Sequence, residues 1–368
     1  MIDALSVRAL LPRRAAMTSK RARPPDSAPA DGPYAAPDAA AATDNAYKRA
    51  EKFYKLYKDG RSPPSLADVI DVDRPGGHGD VETVVPGGAA PAWLAAARVF
   101  ALRGVDGFRL IRGALSVEQQ LELAETVLCE WLEPPVVTNL DLHHGPCERL
   151  WRRHLREPAG SLFAKLSWAT LGRQYRWTER RYDAKQTAGE RDTFPPRLAR
   201  LCSELAAAAG ERVAPEAAIV NFYARDSLMG GHLDDAEHYQ GAPIVSVSVG
   251  LDAIYLLGGP TRATPPRALR LRSGDVVVQG GASRGYYHGV PRVCAGTSPP
   301  DLEAAAATPG QRDVAAWLRE HRMNINVRQV YPPAAAAGDE EDAAPRAGPG
   351  EADGETGASR AEMPNGVT

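Results

Sequence analysis

His232, Asp234 and His288, followed in chain order by Arg322 and Arg328, are the residues of this 368-residue chain whose types and spacing could do chemistry. Two imidazoles and a carboxylate suit a redox iron that keeps coordination positions open for a bidentate oxo-acid and for oxygen. A later pair of guanidinium groups suits the two carboxylates of a small dicarboxylate co-substrate, since each planar fork can take a carboxylate side-on. The chemistry implied is that of an oxygenase. No Ser/His/Asp triad or paired-carboxylate signature competes with it.

Strand geometry must bring these groups together. A strand over 229–234 would point His232 and Asp234 to one face and Leu233 to the other. His288 is followed by Gly289, Val290 and Pro291, a turn that would fix its ring at the end of a strand. His238 is a competing ligand, but it lies among turn-like residues and is expected at the surface. His78, His143, His144, His154 and His321 lack an acidic or cysteine partner at ligand spacing and are assigned to the surface or to ordinary hydrogen bonding. In the last strand Arg322, Asn324, Asn326 and Arg328 alternate with Met323, Ile325 and Val327, so amides and arginines face the interior if the apolar side packs on a covering layer. The two arginines are separated by roughly 20 Å of strand and could bracket a short dicarboxylate. Asn221 and Tyr223 share a face of the strand before the metal strand and could hydrogen-bond the same co-substrate.

The wider sequence supplies the scaffold. From Ala218 onward, short β-branched segments at 218–223, 229–234, 243–250, 253–259, 268–272, 275–279, 285–290 and 324–330 are separated by Gly, Pro or Asp turns. Such a run of strands after an α-rich half predicts an α+β protein built on a sandwich or jelly roll. Ser273-Gly274-Asp275 is read as one of its turns. In the first half, Asp44 is the expected N-cap of a helix burying Tyr47, Ala50, Phe53, Tyr54 and Tyr57, and Ser116 with Gln119 forms a capping box for a second helix. Phe108, Leu110 and Gly113 fit a short strand, and a helix from Pro195-Pro196 should bury Leu198, Leu201 and Leu205 before Gly210. A Pro/Ala-rich insertion over 294–320, with a helix at 312–321, is expected on the rim of the sheets.

Residues 1–43 and 333–368 carry almost no large apolar side chains and are expected to be disordered tails. The folded body is then an N-terminal helical extension and lid over 44–217 and a β core over 218–332. Four scattered cysteines make neither a disulfide framework nor a zinc site, which points to a reducing compartment. No apolar run approaches the ~18 residues of a membrane span. The first 24 residues hold six Lys/Arg and one acid, compatible with a transit peptide, although Met17 is an alternative start. Nucleus, cytoplasm and mitochondrion all stay open. Net charge is -2, but residues 149–200 hold 13 Lys/Arg against 5 acids, whereas 339–362 hold 8 acids against 2 arginines. The basic stretch interleaves Arg173, Tyr175, Arg176, Trp177, Arg180 and Arg181, a mixture that can track phosphate and stack an unpaired base. Tyr175 and Trp177 are the candidate substrate contacts; core packing under a lid is their other reading.

These segments resemble the AlkB family of iron(II)- and 2-oxoglutarate-dependent dioxygenases, over about 44–332. The resemblance is carried by Trp168-Ala-Thr-Leu-Gly-Arg-Gln-Tyr-Arg-Trp177, His232-Leu-Asp-Asp-Ala-Glu237, Ala253-Ile-Tyr-Leu-Leu-Gly-Gly259, Ser273-Gly-Asp275, Tyr287-His-Gly-Val-Pro-Arg292 and Asn326-Val-Arg-Gln329. It is nearest to the branch founded on the first AlkB homologue of animals. It implies a double-stranded β-helix with a nucleotide-recognition lid, iron on His232, Asp234 and His288, and 2-oxoglutarate on Arg322 and Arg328 with Asn221, Tyr223 and Asn324 alongside. The implied activity is oxidative demethylation of N-methylated bases, methyladenine above all, in DNA or tRNA, by a monomer using O2 and no membrane. Some repair relatives carry a second acid two residues after the metal aspartate; here that position is Ala236. A histone demethylase or protein hydroxylase of the same fold, and a non-catalytic nucleic-acid-binding module, are the alternative readings.

Overall fold

The period-two segments pair into two antiparallel sheets, and the apolar side of each is covered. The computed structural model describes residues 45–55, 64–75, 78–88, 90–94, 97–176, 181–182 and 194–333. In chain order these hold α1 (Ala46–Tyr54), β1 (Val81–Val84), β2 (Arg98–Leu102), β3 (Phe108–Arg112), α2 (Val117–Cys129), β4 (Val137–Thr138), α3 (Asp141–His144), α4 (Leu150–Arg156), β5 (Trp168–Gly172), β6 (Tyr175–Arg176) and β7 (Arg181–Tyr182). They continue with α5 (Pro196–Ala208), β8 (Ala217–Ala224), β9 (Met229–His232), β10 (Ile244–Gly250), β11 (Asp252–Leu257), β12 (Arg267–Leu271), β13 (Val276–Gln279), β14 (His288–Cys294), α6 (Asp301–Ala305), α7 (Pro309–Leu318) and β15 (His321–Arg328). The expected tail over 1–43 and all but the first residue of 333–368 lie outside the described residues.

The large sheet runs β1-β2-β3-β13-β10-β15-β8-β5-β4 and the small one β12-β11-β14-β9. Phe108, Leu110, Tyr255, Leu269, Leu271 and Val277 fill the space between them. On the outer face of the large sheet, Val247, Val220, Met323, Ile325 and Val327 pack under α2, α5 and α7. Thus the apolar side of β15 does meet a covering layer, and its polar side faces inward. This is the expected α+β jelly roll. No helix of the described residues is long and apolar enough to cross a membrane.

Several local expectations need correction. Asn45, rather than Asp44, caps α1, because its side chain accepts from Lys48 N at 2.8 Å. Phe53 is 50% exposed, while Tyr47 and Tyr54 are buried. Strands from both sides of the 217/218 boundary share one sheet: β5 pairs with β8, and β3 pairs with β13. The insertion does not stay on the rim. Its helix, α7, begins at a Thr308/Gln311 capping box and buries Val314, Ala315, Trp317 and Leu318 against the face of the large sheet. A helix satisfies its own backbone hydrogen bonds, so the objection to burying an irregular chain does not apply to it. The Ser116/Gln119 capping box of α2 and the Pro196 start of α5 stand as read.

Candidate active site

His232 is the last residue of β9 and His288 the first of β14, and the pairing register sets them side by side. Their ring centroids are 4.4 Å apart. Asp234 closes the triangle: its Oδ1 is 3.7 Å from His232 Nε2 and its Oδ2 is 3.7 Å from His288 Nε2. All three donor atoms lie within 4.8 Å of one another. Asp234 does not sit on the strand, as alternation predicted. β9 ends at His232 because its partner strand begins opposite it, and Asp234 turns back in a loop held by other side chains. His288 likewise opens a strand that continues through Cys294, where the sequence suggested one ending near 290.

Each imidazole turns Nδ1 toward a backbone carbonyl, His232 to Gly230 O at 3.0 Å and His288 to Tyr286 O at 3.1 Å. That bond places the proton on Nδ1 and leaves the Nε2 lone pair for a cation. Burial, reinforced by the neighbouring His232, pushes His288 down to about 4, so its ring is neutral, the ligating form. Burial works against ionisation of Asp234, but Arg328 and the two imidazoles outweigh it and hold the carboxyl well below its ordinary range. Two imidazoles and a carboxylate converge on one point, and this donor set fits a facially bound iron.

The two arginines of β15 occupy different surroundings. Arg322 is 1% exposed. Its Nη2 donates to Ser248 Oγ at 2.7 Å and its Nη1 to the Leu251 carbonyl at 3.2 Å, while Nε is buried without a partner. No carboxylate pairs with it among the described residues. Tyr223 lies across from it in register, its phenol pushed up to about 12 by burial, with only Met229 Sδ at 3.7 Å as partner. Asn324 donates to Ser246 Oγ at 2.9 Å and to the Val247 carbonyl at 3.0 Å, and with Tyr223, His232, His288 and Arg322 it lines one small cavity. Asn221 lies on the same face, opposite Asn324, and borders a larger neighbouring pocket. Arg328, by contrast, bonds Asp234 Oδ2 at 2.7 Å and Glu237 Oε1 at 3.0 Å.

The larger pocket, about 620 Å³, opens beside the triad and is lined by Tyr175, Tyr182, Arg262, Tyr287, Asp235 and Ala236, among others. Tyr175 therefore borders the site, its ring tilted against that of Tyr182 at 5.3 Å across the β6–β7 hairpin. Trp177, the other substrate candidate, lies outside the described residues, as does Arg180. Arg176 and Arg181 are exposed on the hairpin. The rest of the basic stretch divides. Arg173 pairs with Glu216 at 3.2 Å and lies over the Tyr331 ring. The arginines of α4 belong to the helical layer: Trp151 packs against Trp317, which touches Phe222 on the face of β8 opposite Asn221 and Tyr223. His238 is exposed and stacked on Tyr331, not on the triad.

Sequence reasoning missed Glu237, Arg284 and Tyr182. Glu237 is buried and bridges Arg328 to Arg284, whose Nη2 is 2.8 Å away, and Arg284 also donates to the Asp234 carbonyl. Tyr182, 2% exposed, bonds Glu237 from the hairpin side. An acid three residues beyond Asp234 was a visible signal. Nothing in the local sequence marks Arg284 as its partner.

A model described as the 2OG-Fe(II) oxygenase superfamily matches residues 107–328. The DNA N(6)-methyladenine demethylase ALKBH1A of Arabidopsis thaliana is 32% identical over 334 residues, covering 78% of this chain and 96% of that protein. The chain belongs to the AlkB family, in the ALKBH1 branch. Other similar members are the tRNA demethylase abh1 of Schizosaccharomyces pombe, 31% identical over 78% of this chain and 96% of that protein, and the human nucleic acid dioxygenase ALKBH1, 33% identical over 63% and 66%. As an AlkB-family dioxygenase the enzyme uses Fe(II), 2-oxoglutarate and O2. The His/Asp/His donor set fits the metal, and the guanidinium of Arg322, with its Nε unsatisfied, fits an anionic co-substrate.

Proposed function

We propose that this AlkB-family enzyme oxidatively demethylates N-methylated adenine in DNA or tRNA. Relatives named as demethylases of DNA N(6)-methyladenine and of tRNA support the substrate class. The observation that carries the reading is Arg322, a buried guanidinium with an orphaned Nε and no carboxylate partner, lining one cavity with both histidines. A buried cation left so is stabilised when an anion arrives.

His232, Asp234 and His288 would hold the iron. Bound iron supplies oxidation of the substrate methyl by O2, with 2-oxoglutarate leaving as succinate and carbon dioxide. Arg322 takes one carboxylate of 2-oxoglutarate, with Tyr223, Asn221 and Asn324 hydrogen-bonding beside it. Arg328 holds the Asp234 carboxylate ionised and oriented at the other end of the site. The β6–β7 hairpin is the nucleotide-recognition lid, and Tyr175 presents an aromatic face to an unpaired base; Trp177, outside the described residues, is the second candidate contact. Once hydroxylated, a methyl on nitrogen collapses to formaldehyde and the unmethylated base, so no protein general base is required. We place the enzyme, as a monomer, where DNA or tRNA is found: nucleus, cytoplasm or mitochondrion.

The test is mass spectrometry of nucleosides after incubating methylated DNA and tRNA with enzyme, Fe(II) and 2-oxoglutarate. Loss of a methyladenine matched by formaldehyde and succinate is expected. Turnover of a methylated histone peptide with both nucleic acids untouched would replace this reading with the protein-demethylase one.

A further inference from the structure

We propose that Glu51 is a positioning residue for His232, acting through the single peptide unit that joins Gly230 to Gly231. The proposal rests on the reading of His232, Asp234 and His288 as the metal ligands. β9 is an edge strand among the described residues: β14 pairs with one side of it and no described strand with the other. The N–H and C=O of Gly231 need partners that no ladder supplies. α1 lies over this edge. Glu51 Oε2 accepts from Gly231 N at 3.1 Å, and Arg262 Nη2 donates to Gly231 O at 2.8 Å.

The amide gripped by Glu51 belongs to the same planar unit as the Gly230 carbonyl, which faces His232 Nδ1 at 3.0 Å. Carboxylate, peptide and imidazole thus form one chain of hydrogen bonds ending at the ligating ring. A carboxylate bonded to a ligating histidine fixes its tautomer and direction and raises its basicity; here a peptide is inserted between the two. Hydrogen bonds in series polarise one another, so the inserted peptide transmits part of the effect.

Two further observations support the assignment. The side chain of His232 is 35% exposed and that of His288 is 13% exposed, so packing holds the second ring more fully than the first. His232 depends on its backbone for direction. The approach of α1 is also tight: a Cβ on Gly231 would lie 2.2 Å from the Tyr47 ring, so only glycine admits the helix here. Glu51 is itself buried, and Lys48 holds its other oxygen at 2.5 Å.

Size-matched variants of the full chain test the relay. Glu51→Met removes the acceptor and keeps the length; Glu51→Gln keeps both an acceptor oxygen and the length. With Co(II) as probe, Glu51→Met should bind about tenfold more weakly and shift the ligand-field absorption bands, and Glu51→Gln should restore most of both. Wild-type affinity and bands in Glu51→Met, with only a lower melting temperature, would reduce Glu51 to an anchor for α1 and overturn the relay. A Glu51→Gln protein as impaired as Glu51→Met would overturn it too. His288→Ala is the control for the underlying reading: Co(II) binding that survives this change intact would sink the ligand assignment itself, whereas normal binding in Glu51→Met alone sinks only the relay.

Discussion

At one end of β15 a guanidinium is buried with no carboxylate bonded to it among the described residues; at the other end, six residues along the same face, an identical group is clamped by two. Arg322 and Arg328 look equivalent in the sequence, and their surroundings separate them. A buried charge without a bonded counter-ion is a standing cost that an incoming anion offsets, which is why we propose the Arg322 end as the ligand-binding one. A buried charge already matched to Asp234 and Glu237 is internally compensated, and removing it leaves Asp234 without its guanidinium while Glu237 keeps Arg284. On the proposed reading, one strand contributes binding at one end and preorganisation at the other.

The largest expected effect lies between the two ends. Asp234→Ala or His232→Ala should reduce formaldehyde release and succinate formation to background while nucleic-acid affinity stays within about a few fold, because the phosphate-tracking surface is untouched. Turnover retained in both variants would remove the metal centre from the comparison. Next, the two arginines should part company on stability. Arg328→Met takes from Asp234 its guanidinium partner, while Glu237 keeps Arg284, and should cost about 3–5 kcal/mol in urea unfolding, with loss of metal affinity. Arg322→Met should leave the ligand-free protein as stable as wild type or more so. Equal destabilisation by both would erase the distinction.

Arg322→Met should instead raise the KM for 2-oxoglutarate about ten- to a hundredfold, the equivalent of ~1.5–3 kcal/mol for a charge-assisted hydrogen bond. It should also abolish the rise in melting temperature that 2-oxoglutarate gives the wild type. A smaller effect concerns substrate. Arg176→Glu with Arg181→Glu should lower the slope of log affinity against log salt by about 1–2, whereas Arg152→Glu with Arg153→Glu, in the helical layer, should leave it unchanged. The reverse pattern would move the phosphate path to α4.

The smallest effect extends the clamped class of arginine to Asp71 and Asp73, which Arg272, Arg98 and Arg112 hold. Burial would raise both carboxyls, but these bonds outweigh it and set them below their ordinary value of 3.8. The folded state then binds protons less readily than the unfolded one. The stability they contribute is present above about pH 4 and is lost as pH falls through their lower folded values. At partly exposed sites this amounts to no more than about 1 kcal/mol, and Asp73→Asn should flatten the dependence of the urea midpoint on pH.

The legible parts of this molecule are those set by local period. Alternation along 322–328 correctly assigned which side chains of β15 face inward, and the capping box at Ser116 correctly started α2. Contacts that join distant segments were not legible. Asp234 was assigned to a strand because two residues after His232 fits the period, yet the ladder had ended, which depends on where β14 begins. Glu51 is 180 residues from the peptide it holds, and Arg284 is 47 residues from Glu237. Neither spacing carries a signal in a single sequence. The strands of the first half were hard to read because β4 is only two residues long and because β3 and β5 join the large sheet through β13 and β8, made much later in the chain.

β15 is the last strand among the described residues, yet it lies in the middle of the large sheet, between β10 and β8. Those two strands cannot close on each other without shutting it out, so the sheet stays open along its centre until synthesis has passed Arg328. The contacts that complete it are long-range in sequence and correspondingly slow to form. A nascent chain halted before residue 321 would hold all three candidate metal ligands but neither arginine. On the proposed reading of Arg322, oxygen chemistry waits on β15, and co-substrate binding reports that the large sheet is complete.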